Sequence, residues 1–334
     1  MQYNNIDFNN KTILITGGAG FIGSNLAFYF QENFPKSHIV IFDCFRSGEI
    51  LSNNNLKSFG HYKNLINYSG DLICGDINIA SDLALLNDYK FDFIFHQAAI
   101  SDSQVEDQEI VMRTNVNSFH DILKIAKKNN ASTVYASSAA TYGNSPSPQI
   151  LGLEKPNNVY GYSKYIMDQV AINFSAQNPD LSIVGLRFFN VYGSREFYKA
   201  KTSSMVIQLG HQILNGENPR LFINSNKIMR DFVNIKDVIQ ANIKSCTPKQ
   251  SGVYNVGIGT PRSFVDIVEI LQKELTTNLK PEFIPNPYKN YQMHTQADIS
   301  SSIENLGFKP LVSLEQGIKE YVPEIKDLHG KSWK

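Results

Sequence analysis

One short stretch constrains what this chain can fold into more than any other. A strand-like run, Thr12–Thr16, leads straight into Gly17-Gly18-Ala19-Gly20-Phe21-Ile22-Gly23, and an amphipathic stretch follows to Glu32. Glycines at 17, 20 and 23 suit a tight turn, a close backbone approach to a pyrophosphate, and close packing of helix on strand. The following helix N-terminus then faces the phosphates. A glycine triplet alone is weak evidence. Here strand before, helix after and an acid, Asp43, at the end of the next strand-like run His38–Phe42 agree with a dinucleotide-binding turn.

The same alternation continues down the chain. Strand-like Asp71–Gly75, Phe91–His96, Thr133–Ser137 and Ser182–Asn190 are separated by helical patterns at Ile110–Lys128 and Gly161–Ala176. Strand, helix, strand in series implies parallel pairing with crossover helices on both faces, so the expected fold class is α/β, a doubly wound parallel sheet. After Tyr192 the pattern changes. Residues 193–204 are polar and basic, proline and glycine punctuate, and helical stretches look shorter. The expectation is a dinucleotide-binding domain over 10–191 and a smaller α/β substrate lobe over 192–330. Arg230–Asn234 and Gly252–Val256 are read as strands able to return to the main sheet.

Composition excludes several alternatives. With 334 residues, 42% apolar and 19% charged, the chain can build a sizeable core and lacks the signature of disorder. Lys plus Arg (31) balances Asp plus Glu (31), so no global field draws it to nucleic acid or an anionic membrane. Any bound anion must be held locally. Cys44, Cys74 and Cys246 form no Cys-x-x-Cys pair, which argues against a disulfide framework or a metal cluster. The polar start and the lack of any apolar run near the roughly 18 residues of a membrane span point to a cytoplasmic protein.

Two details bear on the expected cofactor. Asp43 is placed to bond a free ribose 2′-hydroxyl, as in NAD, while Arg46, three residues on, is a candidate partner for the 2′-phosphate of NADP or else a solvated surface cation. Asp76 follows the third strand and either meets the adenine or closes an ordinary turn.

Catalytic candidates come next in chain order. Tyr160 and Lys164 stand four apart at the opening of a helix, so they share a face, and an ammonium beside a phenol would favour the phenolate. Ser138 ends a strand, where its hydroxyl can reach a reacting alcohol or cap a loop.

The glycine loop, this serine and Tyr-x-x-x-Lys together resemble the extended short-chain dehydrogenase/reductase superfamily, over almost the whole chain. A closer resemblance lies in Tyr135-Ala-Ser-Ser-Ala-Ala-Thr-Tyr-Gly143, Asn158-Val-Tyr-Gly-Tyr-Ser-Lys164, Phe189-Asn-Val-Tyr-Gly193, Arg195-Glu196, Arg230-Asp-Phe-Val233 and Thr295-Gln-Ala-Asp298. Together these are similar to the ADP-glyceromanno-heptose 6-epimerase family. That resemblance implies a homo-oligomeric isomerase that takes a nucleotide-sugar substrate and inverts one carbinol centre. It would do so by transient oxidation to a ketone and hydride return, with tightly held NADP, NAD being the alternative.

By the same resemblance Tyr160 and Lys199 are the two acid–base residues, Lys164 binds the nicotinamide ribose, and Ser138 polarises the reacting oxygen. Phe21, Ile22, Asp43 and Cys44 line the adenosine side. Gln97, Ala98, Ala99 and Ser101 follow the fourth strand beside the cofactor, with Asn115 and Val191 near it. Asn190, Phe222, Ser225, Arg230 and Tyr291 surround the sugar nucleotide, Arg230 for a diphosphate or else paired with an acid. The chain departs from the family pattern at Ile50, where a 2′-phosphate lysine is usual, and at Lys201 and Gln208 on the substrate side. A UDP-hexose 4-epimerase shares most of these features. A 4,6-dehydratase is opposed by Ala139-Ala140-Thr141, where an Asp-Glu pair is needed, and a non-catalytic dinucleotide sensor by the retained Tyr160 and Lys164.

Overall fold

The computed structural model describes Tyr3, residues 6–287 and residues 291–333. Its centre is a seven-stranded, wholly parallel sheet. In chain order the strands are β1 (Thr12–Thr16), β2 (His38–Asp43), β3 (Asp71–Cys74), β4 (Phe93–His96), β5 (Ser132–Ser138), β6 (Ile183–Phe188) and, returning late, Gly252–Val256 at the β6 edge. The spatial order runs from that late strand through β6, β5, β4, β1 and β2 to β3. Strand order therefore reverses between β1 and β4, and the crevice outside their carboxyl ends is where such sheets bind ligands.

The strands form because β-branched and aromatic residues crowd them, and their period of two splits the core. Ile13 and Ile15 of β1 pack on one face with Phe30 of helix α1 (Phe21–Asn33), while Leu14 joins Phe42, Phe119 and Met167 on the other. A third apolar cluster, including Tyr192, Leu209, Leu271 and Ile318, holds the later part of the chain.

Several sequence expectations need correction. The helix expected over Ile110–Lys128 carries a π-helical segment, Arg113–Asn117, between Gln108–Met112 and Ser118–Asn129. The strand expected to run to Asn190 stops at Phe188, and Asn190–Tyr192 starts a separate ladder. Arg230–Asn234 does not return to the main sheet. Met229–Arg230 pairs with Arg262–Ser263, and Phe232–Asn234 pairs with Asn190–Tyr192. The break falls at Asp231, whose carboxylate accepts the amides of Ile258, Gly259 and Ala297 and so anchors the segment elsewhere. Helices beyond Tyr192 are not shorter as a class, since Leu314–Leu328 spans 15 residues.

Candidate active site

At the β1–β4 crevice lies a cavity of about 610 Å³. Its floor at one end is the glycine loop. Gly17 has φ +70°, and a Cβ there would sit 2.6 Å from the Ala98 amide nitrogen; a Cβ on Gly23 would sit 2.3 Å from the Gly17 carbonyl oxygen. Both positions need glycine for space, and Gly17 for its backbone as well. Helix α1 begins at Gly20 with no side-chain cap and no acid in its first turn. Its opening amides, at Phe21, Ile22 and Gly23 on the cavity wall, are thus left for an anion. These residues fit the pyrophosphate of a dinucleotide.

Gln97, Ala98, Ala99, Ser101, Val191, Cys44 and Asp76 all line the cavity, the last two at the carboxyl ends of β2 and β3. Asp43 also borders it, but its carboxylate is already engaged. Oδ2 accepts the Ala19 amide at 2.9 Å and Oδ1 the Phe45 amide at 2.7 Å, with the residue 5% exposed. The acid that reads from sequence as a ribose ligand also braces the glycine loop against the chain leaving β2, and its carboxylate keeps acceptor capacity at the cavity wall.

Arg46 and Asn115 are further corrections. The Arg46 guanidinium is turned away from the cavity onto the carbonyls of Tyr198 and Trp333. Asn115 is fully buried behind the wall and does not line the cavity; its amide bonds both backbone groups of Ile100 and the Ser163 hydroxyl. Sequence reasoning missed Lys57 and Ser58, which line the adenosine end from a polar loop without any motif. Lys57 pairs there with Glu49 at 3.0 Å and Asp76 at 3.7 Å.

The catalytic candidates meet in the same cavity. Helix α2 (Val159–Gln177) is capped by Asn158, whose Oδ1 accepts the Gly161 amide, so Tyr160 and Lys164 occupy its first turns. Ser138, at the end of β5, lines the cavity together with Tyr160, and its hydroxyl accepts the Ala140 amide at 3.1 Å. The Lys164 ammonium donates to the Ala136 carbonyl at 2.8 Å and lies 6.0 Å from the Tyr160 ring centre. Burial pulls Lys164 down to about 8. Burial also pushes the Tyr160 phenol up, with Ser138 partly offsetting it. Burial thus opposes the drift of Tyr160 toward phenolate expected from Lys164, whose ammonium is aimed at the Ala136 carbonyl.

Lys199 reaches the cavity from a short helical turn, Phe197–Thr202, with its ammonium 5.7 Å above the Phe21 ring. Burial lowers it, against the opposing fields of Glu196 and Asp102. A phenol and an amine, two groups able to give or take a proton, thus stand in a single cleft, which is what proton transfer in both directions needs.

Beyond them Asn190, Arg230 and Tyr291 line the far end. Arg230 is 6% exposed, donates to the Met229 and Gln292 carbonyls, and lies 4.8 Å over the Tyr291 ring. No carboxylate among the described residues pairs with it, so the alternative of an acid partner is not realised. Four expected substrate contacts do not reach the cavity. Phe222 stands behind Tyr291 at 5.5 Å, Ser225 is spent on the Phe222 carbonyl, Gln208 caps Ser203 at 2.7 Å, and Lys201 is exposed. Gln104, Asn157, Thr202, Ser203 and Gln292 line it instead.

The fold and this cleft define an enzyme of the extended short-chain dehydrogenase type, built to hold a nicotinamide dinucleotide beside a hydroxyl-bearing substrate. The chain belongs to the NAD dependent epimerase/dehydratase family, whose model matches residues 13–257. It is 34% identical to the ADP-L-glycero-D-manno-heptose-6-epimerase of Brachyspira hyodysenteriae, over 95% of this chain and 99% of that protein. The crystal structure of the Helicobacter pylori ADP-L-glycero-D-manno-heptose-6-epimerase superposes with a TM-score of 0.89 at 47% identity, covering 98% of this chain and 99% of that one. The UDP-glucuronic acid 4-epimerase of Bacillus cereus, solved with UDP-glucuronic acid and NAD, is more distant at 26% identity. Its TM-score is 0.80, over 95% of this chain and 100% of that one. The resemblance drawn from short motifs thus holds along the chain. Among the described residues no helix is long and apolar enough to cross a membrane.

Proposed function

We propose that this enzyme inverts C6″ of an ADP-linked glyceromanno-heptose, supplying the L-glycero-D-manno-heptose of a lipopolysaccharide core. What supports the reading is one convergence: Tyr160 and Lys199, from different elements, enter the same cavity beside the dinucleotide loop. The target carbinol has no neighbouring carbonyl to acidify it, so deprotonation alone cannot invert it. A nicotinamide bound beside Lys164 would supply the chemistry that inversion needs, reversible hydride exchange with that carbon. Lys199 or Tyr160 takes the hydroxyl proton, Ser138 holds the oxygen, and the planar ketone reorients. The other residue then delivers a proton as the second face receives hydrogen. Arg230 and Tyr291 hold the sugar nucleotide, and Lys164 the nicotinamide ribose.

The dinucleotide in this reading is NADP rather than NAD. The Asp43 carboxylate accepts the Ala19 and Phe45 amides, which hold it in place at the cavity wall. Lys57 and Ser58 border both the main cavity and an adjoining space of about 260 Å³. Residues 10–191 with the returning Gly252–Val256 serve the dinucleotide and residues 192–330 mainly the substrate, in a cytoplasmic homo-oligomer.

Proton NMR of ADP-D-glycero-D-manno-heptose incubated with the enzyme tests the reaction. The expected result is an equilibrium mixture of the two C6″ epimers, with Tyr160→Phe and Lys199→Met each slowed by about 100-fold or more. An untouched heptose beside turnover of a UDP-hexose would refute the substrate. For the cofactor, Lys57→Met should weaken NADP about tenfold and leave NAD unchanged. Equal effects on both would refute the 2′-phosphate role.

A further inference from the structure

The segment that presents Lys199 is held in a costly shape. Two of its non-glycine residues sit at positive φ, Arg195 at 72° and Ala200 at 52°. Such conformations persist only where surrounding contacts over-determine them. Those contacts come from two sides. From within, the buried Glu196 carboxylate accepts the Gly193 amide at 3.1 Å, the Ser204 amide at 2.6 Å and the Ser204 hydroxyl at 2.8 Å, so it closes the loop at both ends.

From outside, the dinucleotide half grips the loop. The Asn25 amide donates to the Ser194 carbonyl at 2.9 Å, one turn into the helix that opens at the glycine loop. The Arg195 guanidinium donates to the Asn64 carbonyl at 2.5 Å and lies 3.9 Å over the Phe28 ring. Arg46 donates to the Tyr198 carbonyl, the peptide immediately before Lys199, and the His61 ring stacks on the Tyr198 ring at 4.0 Å and 7°. His61 and Asn64 in turn bond the Ala19 carbonyl of the glycine loop. A continuous chain of contacts therefore runs from the dinucleotide loop through residues 60–64 and Arg46 to the peptide that carries the second base.

We propose that Arg46 and His61 are positioning residues for Lys199, clamping Tyr198 so that the ammonium is registered against the cofactor loop, and that Arg46 is not a cofactor ligand. This rests on the reading of Lys199 as an acid–base residue. Loosening the clamp frees a loop with two strained residues to relax, which displaces the ammonium without touching the dinucleotide. A displacement near 1 Å costs about 10- to 100-fold in rate.

The test compares Arg46→Met, His61→Leu and Arg46→Lys with wild type and Lys199→Met. It measures kcat and KM for epimerisation, the dissociation constants of NADP and NAD, and labelling of Lys199 by an amine reagent read by mass spectrometry. Expected for Arg46→Met and His61→Leu are a kcat loss of about tenfold or more, KM and both dissociation constants within about twofold, and faster labelling of Lys199. Arg46→Lys, which keeps a donor for the carbonyl, should recover part of the rate. Should Arg46→Met not fold, His61→Leu decides, since it removes the stack and leaves the arginine in place. Full activity in Lys199→Met would sink the two-base reading itself. With Lys199→Met inactive, wild-type kcat in the clamp variants would overturn the positioning role alone. A selective loss of NADP over NAD affinity in Arg46→Met, with kcat intact at saturation, would overturn it in favour of a 2′-phosphate ligand.

Discussion

Replacing Lys164 by methionine should stabilise the protein while abolishing its chemistry. Lys164 is 2% exposed, and burial lowers its ammonium from the ordinary 10.5 to about 8, against the opposing field of Asp168 one turn along the helix. Below pH 8 both folded and unfolded chains hold this proton, so the desolvated ammonium costs stability in full. Between pH 8 and 10.5 the folded chain has lost the proton while the unfolded chain keeps it, and the cost fades as pH rises through that window. At about 1.4 kcal/mol per pH unit, the full cost is about 3 kcal/mol. Methionine matches the length of the side chain without its charge. It forfeits the hydrogen bond to the Ala136 carbonyl, about 1 kcal/mol. The net expectation is a gain of about 2 kcal/mol at pH 7 that vanishes by about pH 10. Urea unfolding of wild type and Lys164→Met at pH 7 and pH 9.5 measures it. A variant less stable at pH 7, or a difference that does not change with pH, would refute the argument that burial governs Lys164.

Behind the catalytic strand, Arg187 is sandwiched between Asp168 at 2.9 Å and Glu154 at 2.5 Å, with Asp168 also accepting the hydroxyls of Tyr135 and Ser137. Asp168→Asn leaves the buried guanidinium half-compensated and should cost about 3–5 kcal/mol in urea unfolding; a loss under about 1 kcal/mol would show that Glu154 alone suffices. Gly23→Ala places a methyl 2.3 Å from the Gly17 carbonyl oxygen and must open the dinucleotide turn. Calorimetry should find the cofactor bound about tenfold or more weakly, and an unchanged affinity would remove the glycine loop from the binding site.

The sequence alone determined the parts of this protein that depend on near neighbours. The glycine loop is legible because tight turn, bare helix terminus and close packing all fall within eight residues, Thr16 to Gly23. Tyr160 and Lys164 are legible because helical spacing puts four-apart residues on one face, and the order of β1 to β6 because apolar runs announce strands. Ser138 is legible as a hydroxyl at a strand end, the role of Lys199 comes from resemblance, and the fold brings both to the cavity. Tertiary structure decided what the loop residues do. Arg46 is a surface cation or a phosphate ligand until Tyr198, 152 residues away, claims its guanidinium. Asp43 reads as a ribose ligand alone until the Ala19 and Phe45 amides make it a brace as well, and Asn115 as a cofactor contact until Ile100 and Ser163 claim its amide behind the cavity wall. Lys57 carries no motif and enters the cavity only because its loop folds back over the strand ends. Polar side chains on irregular backbone take whichever partner the distant chain presents. No local spacing records that choice, whereas turns, helix faces and strand periods are set by the covalent geometry of consecutive residues.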